Sequence, residues 1–407
     1  MASYSDPGSG IFTPMERLSR LAILLLVSFA SPYAALWAAS APLNGEYFVY
    51  VGTYTRKTSK GIYAFRFNTS TGKLTSLGLV AEIPSPSFVA ANPNGRFLYA
   101  SNEREYNEVM GNTVSAFTID PETGHLALLK RTPSAGDGPA HIVVDPTGKT
   151  LVVNNYRGGN VAVLPIEPDG TLGEATSVDQ HHGEGGDPKR VAGPHPHSGA
   201  LSPDNRFLLT TDSGLDQVMA YRFDATKGTI VPASQPFFQE DAASAPWHVT
   251  FHPSGKFVYA TNETISKLTV FTFSEPDGTL RLIQTVPSVP DGVTQKGPGI
   301  GPAEVRVDKA GKFLYVSNRG HDSIAVFAID HAKGTLSLVE DVPTGGKIPR
   351  SITFDPTGNY LLAGNGASNN LVAFKVDSKN GRLTSTGQVL DVPEPASIVF
   401  VPAKAAH

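Results

Sequence analysis

Short runs of hydrophobic residues alternate along this chain with the polar, glycine and proline residues of turns, and one stretch shows the repeating unit clearly. An apolar strand over Pro246–Phe251 is followed by a turn at Pro253–Lys256 and by a second apolar run at Phe257–Ala260. Gly255 fits a turn position that needs a positive φ angle, and a proline fits the entry to such a turn. The pattern predicts a β-hairpin.

The hairpin recurs along the chain. Prolines equivalent to Pro246 are spaced 46 to 57 residues apart, at Pro86, Pro139, Pro196, Pro246, Pro302, Pro349 and Pro395. Sixteen residues after each of the first six stands an amide or carboxylate: Asn102, Asn155, Asp212, Asn262, Asn318 and Asn365. Each unit continues with an alternating run and a turn such as Gly278–Leu280, which makes four strands per unit. A repeat of this length and content predicts a β-propeller.

The two ends of the repeat region complete each other. Pro395–Pro402 has the pattern of a first strand without a second, and Glu46–Tyr54 has the pattern of a second strand without a first. Pairing them closes a seventh blade and protects the sheet edges. Consecutive apolar residues in second strands, as in Leu151–Val153, indicate burial on both faces, as expected where blades stack. We therefore predict an all-β fold, a seven-bladed β-propeller closed by its terminal strands.

The first forty residues have a different character. Arg17 and Arg20 precede the apolar run Leu21–Val27, and small residues follow at Ala38–Ser40. This order is typical of a secretory signal. We predict a signal peptide over residues 1–40, starting at Met1 or Met15, and a propeller domain over 41–407, in a periplasmic or secreted protein. An uncleaved segment that anchors the protein in a membrane is the alternative.

The composition of the chain narrows the classes of partner and chemistry that it can have. A net charge of −4 and a charged fraction of 17% argue against a nucleic-acid partner. The chain has no cysteine, which excludes disulfides, a thiolate nucleophile and cysteine-ligated zinc. We expect a small-molecule partner, a monomer or weak dimer, and no stable membrane association after signal cleavage.

Catalytic and binding residues are expected where the repeat brings side chains together. The opening and closing residues of each hairpin share one edge, so they face one mouth of the channel if the first strand is innermost. The opening positions carry Ala140-His141, His197-Ser198, Trp247-His248, Ala303-Glu304 and Arg350-Ser351, and the closing positions carry Asn262-Glu263 and Asn318-Arg319. Strand starts do not require histidine, glutamate or arginine. The recurring asparagine is different, since it often only bonds nearby backbone, and a structural role is the alternative for His141 and His248.

One long irregular segment, Asp179–His197, interrupts the repeat, and loops of this length are often functional. It could fold over the mouth and bring His182 and Arg190 there. A metal site is an alternative, but Gly and Pro make the segment loose and no helical spacing orders its candidate ligands, which are His181, His182, Glu184, Asp187 and His195. We expect a solvated loop with one or two substrate contacts, and neither a metal nor a cofactor.

Several motifs, taken together and in their order along the chain, are specific enough to indicate a family. They are Asn154–Val161, Pro194–Ser198, Ser202–Phe207, Asp212–Asp216, Trp247–Pro253 with Asn262-Glu263, and Asn318-Arg319. On these motifs the chain resembles, over residues 46–402, the seven-bladed 6-phosphogluconolactonase family, which includes fungal carboxy-muconate lactonizing enzymes. The resemblance implies a lactonase.

The resemblance also assigns residues. The family's channel histidine falls on His197, its acidic residue on Glu263 and one of its two arginines on Arg319. The position of the other arginine is held by Trp247, although Arg350 occupies the same slot two blades on. Because an arginine pair suits a phosphate or carboxylate, this departure and the signal peptide together favour an unphosphorylated sugar lactone.

The implied reaction is metal-independent opening of the lactone by water, with Glu263 or His197 as general base. Arg319, with His248, would stabilise the oxyanion. The remaining substrate contacts would come from His141, Arg190, Trp247, Asn262, Asn318 and Arg350. No serine lies in a Gly-x-Ser-x-Gly elbow, which argues against a covalent acyl-enzyme. Three alternatives stay open: a muconate-type cycloisomerase, a calcium-dependent lactonase that uses the asparagine oxygens, and a propeller that serves only as a binding module.

Overall fold

The computed structural model describes residues 45–103, 112–185, 193–290, 293 and 299–403. Within these ranges the chain forms strands, turns and loops, and no helix there is long and apolar enough to cross a membrane. The predicted signal peptide and the candidates Arg190 and Asp187 lie outside the described residues, so the predicted domain boundary at residue 40 remains a prediction.

The described residues form seven four-stranded antiparallel sheets, here called blades 1 to 7. Blade 1 contains β1 (Glu46–Thr53), β2 (Gly61–Asn68), β3 (Lys73–Glu82) and, from the other end of the chain, β28 (Pro395–Pro402). Blades 2 to 4 contain β4 (Pro86–Ala91), β5 (Phe97–Asn102), β6 (Thr113–Ile119), β7 (Leu126–Pro133), β8 (Pro139–Val144), β9 (Thr150–Asn155), β10 (Asn160–Pro165), β11 (Ser177–Gln180), β12 (Pro196–Leu201), β13 (Phe207–Asp212), β14 (Gln217–Asp224) and β15 (Thr229–Gln239).

Blades 5 to 7 follow the same order. They contain β16 (Pro246–Phe251), β17 (Phe257–Asn262), β18 (Lys267–Ser274), β19 (Thr279–Pro287), β20 (Gly301–Val307), β21 (Phe313–Arg319), β22 (Ser323–Ile329), β23 (Leu336–Pro343), β24 (Pro349–Phe354), β25 (Tyr360–Asn365), β26 (Asn370–Val376) and β27 (Leu383–Asp391). The first strands of neighbouring blades contact each other around the ring, so the first strand of each blade is innermost.

The ring is closed by strands from both ends of the repeat region. β28 pairs antiparallel with β1, from Tyr47 opposite Pro402 to Thr53 opposite Pro395. This confirms the predicted seven-bladed all-β propeller and its closure. Closure gives the first strand β28 a second strand, β1, in its own blade, as in the other six blades.

The turn between the first two strands depends on a residue in the left-handed region. Gly255 has φ 74°, and the equivalent Gly358 has φ 75°. Blade 4 places Asn205 at this position with φ 58°. Glycine has no Cβ to clash there, and asparagine tolerates the region better than most residues.

Stacking of the blades builds the core. All six residues of β9 and of β17 are buried, which confirms the burial of second strands on both faces. A tyrosine of the second strand repeatedly bonds to the next blade: the Tyr99 hydroxyl donates to Gly170 O at 3.1 Å, and the Tyr259 hydroxyl donates to Gly334 O at 3.1 Å. These bonds hold each blade against its neighbour, and they give the buried tyrosine hydroxyl a hydrogen-bond partner.

Candidate functional site

Seven equivalent residues surround a cavity at one mouth of the channel. Each blade contributes the residue that follows its anchoring proline, namely Ser87, Ala140, His197, Trp247, Ala303, Arg350 and Ala396. Four of them are small, and the three large ones, His197, Trp247 and Arg350, bring a ring nitrogen, an indole and a guanidinium to the cavity. The cavity volume is about 30 Å³, and the empty space at this mouth, including space open to solvent, is about 360 Å³. Tyr54, Phe88, His248 and Arg319 complete the lining.

A local irregularity of the first strands turns these residues toward the channel. The pairing register shifts just after the anchoring proline, for example between Pro196 and Ser198 in blade 4 and between Pro246 and Val249 in blade 5. A bulge of this kind bends the strand and re-aims a side chain that a regular ladder would direct elsewhere. The repeat therefore supplies both the position and the orientation of the lining residues.

His197 is held as a neutral imidazole with one nitrogen available. Its Nδ1–H donates to Trp247 O at 2.9 Å, which fixes the tautomer and leaves Nε2 without a hydrogen-bond partner in the described structure. Burial lowers the pKa of His197 well below its usual range, and the nearby His248, His141 and Arg319 lower it further. Near neutral pH the Nε2 lone pair can accept a proton.

The Trp247 indole contacts two other site residues, His197 and Arg319. Its ring stacks on His197 with centroids 3.4 Å apart and an interplanar angle of 27°. The Arg319 guanidinium lies 4.9 Å from the Trp247 ring centroid, within the range of a cation–π interaction. These contacts engage the indole with protein groups, so its main geometric role is to position the imidazole and the guanidinium.

Arg319 and Glu263 form a buried ion pair beside the cavity. Arg319 Nη2 donates to Glu263 Oε1 at 2.8 Å, and Arg319 Nε donates to Gly301 O at 3.3 Å. Both side chains are almost fully buried, with 1% and 4% of their side-chain surface exposed. Burial lowers the pKa of Arg319 to about 10 against the opposing effect of Glu263, so the guanidinium remains charged at neutral pH. The pair fixes the Arg319 guanidinium at the cavity wall, beside the Glu263 carboxylate.

His248 has a different partner from His197. Its Nδ1–H donates to Glu304 Oε1 at 2.9 Å, and Arg306 Nη2 lies 3.4 Å from the same oxygen. Burial alone would raise the pKa of Glu304, but Arg306 and His248 outweigh it and leave the pKa below its usual range. Glu304 is therefore a carboxylate at neutral pH.

His141 packs against the same cluster of rings. Its ring centroid is 4.0 Å from Phe88 and 5.5 Å from His248. Its Nδ1 accepts a hydrogen bond from the Gly199 amide at 3.4 Å. Burial, followed by His248 and Arg306, lowers the pKa of His141 well below its usual range, so this residue is a neutral packing partner of the site.

Arg350 reaches the cavity from blade 7. Its Nη2 donates to the Tyr54 hydroxyl at 3.0 Å, and its guanidinium lies 4.9 Å from the Tyr54 ring centroid. No carboxylate of the described residues forms an ion pair with it. Burial raises the pKa of Tyr54, and Arg350 opposes that shift. Tyr54 is a neutral donor and acceptor at the cavity wall.

Asn262 and Asn318 lie outside the cavity lining. Both are fully buried. The Asn318 amide donates to Ser288 O at 2.7 Å, and the Asn262 amide donates to Thr269 Oγ1. These bonds tie the end of β21 to the loop after β19 and the end of β17 to β18, which is a structural role for the strand-end asparagine.

The long segment of blades 3 and 4 contributes to the site indirectly. His181 is buried, donates from Nδ1 to Asp212 Oδ2 at 2.6 Å and has its Nε2 2.7 Å from the Tyr221 hydroxyl. His195 stacks on Tyr156, whose ring is edge-on to His197 at 5.8 Å. His182 is exposed and does not line the cavity. Among the described residues no group of three or more His, Asp or Glu side chains is arranged to hold a metal ion.

Glu304 and Tyr54 are among the lining or supporting residues that were not predicted as site residues. Glu304 occupies an opening position of blade 6, so its signal was present in the repeat, but only its contact with His248 assigns it to the site. Tyr54 follows β1 and corresponds to a closing position of blade 1. The repeat hides that correspondence, because the matching first strand lies at the other end of the chain.

The chain matches the family model "Lactonase, 7-bladed beta-propeller" over residues 48–400. It is 34% identical to the 6-phosphogluconolactonase of Bacillus subtilis strain 168 over 356 residues, which cover 88% of this chain and 99% of the relative. It is 31% identical to the 6-phosphogluconolactonase of Formosa agariphila over 308 residues, or 74% of this chain and 85% of that protein.

A solved structure with the same architecture is the periplasmic gluconolactonase of Pseudomonas aeruginosa. It superposes with a TM-score of 0.81 at 31% sequence identity and covers 88% of this chain and 100% of its own. Family match, sequence identity and fold agree with the seven blades. The protein belongs to the seven-bladed β-propeller lactonase family.

Proposed function

We propose that this protein is a sugar lactone hydrolase that opens its substrate with water at the channel mouth. The observation that carries the proposal is the cavity itself, where an imidazole with an available Nε2 and a buried guanidinium contact the same indole. Ester hydrolysis needs a base for the attacking water and a positive group for the oxyanion. Relatives named 6-phosphogluconolactonase support the same reaction class.

His197 is the proposed general base. The Trp247 carbonyl fixes its Nδ1–H, so Nε2 takes the proton of the water that attacks the lactone carbonyl. Because burial lowers the pKa of His197, the neutral form that acts as a base is present well below pH 7. The rate should therefore hold on the acid side of neutrality, down to the lowered pKa.

Arg319 is the proposed oxyanion-stabilising group. The attack moves negative charge onto the carbonyl oxygen, and a guanidinium in a poorly solvated cavity stabilises that charge. Glu263 keeps Arg319 in place through the 2.8 Å ion pair. This geometry favours His197 over Glu263 as the base, because the Glu263 carboxylate is already engaged by a cation.

We propose an uncharged sugar lactone, rather than its phosphorylated form, as the substrate. A phosphate dianion is usually held by more than one cation. Here the charge of Arg319 is balanced by Glu263, which leaves Arg350 as a cavity-lining cation without a carboxylate partner among the described residues. Arg350 and Tyr54 are suited to hydrogen-bond the hydroxyls of a sugar.

The test is turnover of a panel of lactones, measured by proton release, with the native protein and with His197→Asn. Asparagine keeps a donor for Trp247 O but has no Nε2, so kcat/KM should fall by about 10²–10⁴-fold. His125→Asn changes an exposed histidine on a turn of blade 2 and should leave the rate unchanged. Thermal unfolding of each variant separates lost chemistry from lost fold.

The results of these assays distinguish the candidate functions. A native protein inert on every sugar lactone would overturn the proposed function, and turnover of a muconate instead would favour a cycloisomerase. Full activity of His197→Asn with loss in Glu263→Gln would move the base to Glu263. A tenfold or larger preference for the phosphorylated lactone, about 1.4 kcal/mol in transition-state binding, would overturn the proposed substrate charge.

We also propose that the propeller acts outside the cytoplasm, on the basis of the signal-like segment Arg17–Ser40. The Pseudomonas aeruginosa relative is named as periplasmic. Expression of the full chain in a Gram-negative host, followed by fractionation and N-terminal sequencing, tests this. A mature protein that begins near residue 41 is the expected product, and a full-length cytoplasmic product would contradict the proposal.

A further inference from the structure

Hydrolysis of a lactone needs a second proton transfer, because the ring oxygen leaves as an alkoxide. We propose that His248 is the general acid that protonates this oxygen and that Glu304 positions the His248 ring. This inference rests on the lactone hydrolysis proposed above, and it gives separate roles to two histidines whose rings are 5.2 Å apart.

The geometry places His248 for this role. It lines the cavity, and 7% of its surface is exposed. Its Nδ1–H donates to Glu304 Oε1 at 2.9 Å, so the nitrogen left for the substrate is Nε2, which has no hydrogen-bond partner in the described structure. Glu304 is 3% exposed and does not line the cavity, so it acts through His248.

The two histidines have different hydrogen-bond acceptors at Nδ1. The ring of His197 donates to a neutral carbonyl, whereas the ring of His248 donates to a carboxylate. A carboxylate at hydrogen-bond distance stabilises an imidazolium, and a neutral acceptor in a buried site does much less. Pairs of groups whose environments differ in this way divide into base and acid.

The other charged and titratable groups around His248 do not reverse this difference. His141 and His197 face it at 5.5 and 5.2 Å, and burial holds the pKa of both well below its usual range, so both are neutral at pH 7. Arg306 shares Glu304 Oε1 at 3.4 Å, but its side chain is 37% exposed and its charge is partly screened by water.

The proton and electron balance closes with these residues. His197 Nε2 takes one proton from water as the water oxygen bonds to the carbonyl carbon, and Arg319 stabilises the resulting oxyanion. The carbon–oxygen double bond then reforms, the bond to the ring oxygen breaks, and that oxygen takes the Nε2 proton of His248. The products are a hydroxy acid, a protonated His197 and a neutral His248, and proton exchange with water resets both rings.

Two small lactones of equal ring size separate this role from a structural one. γ-Valerolactone releases an alkoxide, and α-angelica lactone releases an enolate that needs much less help from an acid. His248→Asn and Glu304→Gln should lower kcat on γ-valerolactone by about 10²-fold or more and on α-angelica lactone by much less. His197→Asn should slow both substrates similarly, because both need the attacking water.

The charge on His248 can be followed without turnover. In protein labelled with ¹³C at histidine Cε1, with the signal assigned by its loss in His248→Asn, an NMR titration reports the ionisation of this ring. Glu304→Gln should shift the midpoint to lower pH, Glu304→Asp should restore part of the shift, and Glu240→Gln, a buried glutamate outside the cavity, should leave it unchanged.

The outcomes distinguish the two proposals. A native protein that opens both lactones, with His248→Asn slowing them equally, overturns the role of His248 as general acid and leaves the proposed hydrolysis intact. An unchanged His248 midpoint in Glu304→Gln overturns the role of Glu304. A native protein inert on every lactone overturns the hydrolysis itself, and the general-acid role falls with it.

Discussion

At the scale of single residues, the channel shows how one side-chain type takes on different chemistry through its neighbours. His141, His197 and His248 occupy similar places in three adjacent blades, yet their Nδ1 atoms meet a backbone amide, a backbone carbonyl and a carboxylate. These partners fix which nitrogen carries the proton. The acceptor at Nδ1 therefore decides which ring is suited to act as a base and which as an acid.

Glu240 gives a prediction at this scale. It is 9% exposed, its Oε1 has no hydrogen-bond partner in the described structure, and burial, with Asp241 and Asp216 adding to it, raises its pKa to about 7. A raised pKa means that the folded protein binds this proton more tightly than the unfolded chain does. The stability it contributes is complete below pH 4.5 and is lost as pH rises toward and beyond 7.

Glu240→Gln should remove that loss, because glutamine stays neutral. We expect the variant to be more stable than the native protein at pH 8, by about 3 kcal/mol at most, and to differ little near pH 4.5. Melting temperatures measured from pH 4.5 to 8.5 check this. Parallel curves for the two proteins would contradict it.

At the scale of the elements, two repeated devices do different work. The bulge after each anchoring proline turns a side chain into the channel, so it builds the site. The tyrosine of the second strand, seen in Tyr50, Tyr99, Tyr259 and Tyr315, bonds to a glycine carbonyl of the next blade, so it builds the ring. The site can therefore vary from blade to blade while the scaffold stays constant.

Tyr259→Phe tests the second device. Removal of the hydroxyl leaves Gly334 O buried without its donor, which should cost about 1 kcal/mol or slightly more. Tyr63→Phe is the matched control, since the Tyr63 hydroxyl has no hydrogen-bond partner in the described structure. Urea unfolding of both variants makes the comparison, and equal midpoints would show that the inter-blade bond contributes nothing.

At the scale of the whole molecule, stability depends on closure of the ring. Blade 1 is assembled from both ends of the repeat region, and its strand β28 also contacts the first strands of blades 2 and 7. Without β28 the buried face of β1 and the neighbouring inner strands would meet water. An open propeller would also expose a sheet edge that can pair with other chains.

Deletion of residues 394–407 should therefore produce an aggregating or largely unfolded protein, measured by circular dichroism and size-exclusion chromatography. A synthetic peptide spanning residues 393–407, added during refolding, should restore monomeric protein, because strand addition replaces the missing backbone hydrogen bonds. A truncated chain that stays folded and monomeric without the peptide would contradict the closure argument.

The sequence by itself determined the architecture, because a repeat of 46 to 57 residues with a fixed turn and a fixed apolar pattern allows few arrangements. It also placed His197, Trp247 and Arg350 at equivalent positions, so their convergence on one cavity followed from symmetry. The hydrogen-bond partners of these residues could not be predicted from the repeat. They depend on contacts across blades, which the spacing within one blade does not describe.

Only the tertiary structure decided those contacts. It joined Glu263 to Arg319 across 56 residues and His248 to Glu304 across 56 residues. It also directed the strand-end amides of Asn262 and Asn318 into the scaffold. The physical reason is that protonation and charge at a buried site depend on atoms within a few ångströms. In a propeller those atoms come from the next blade, one full repeat away along the chain.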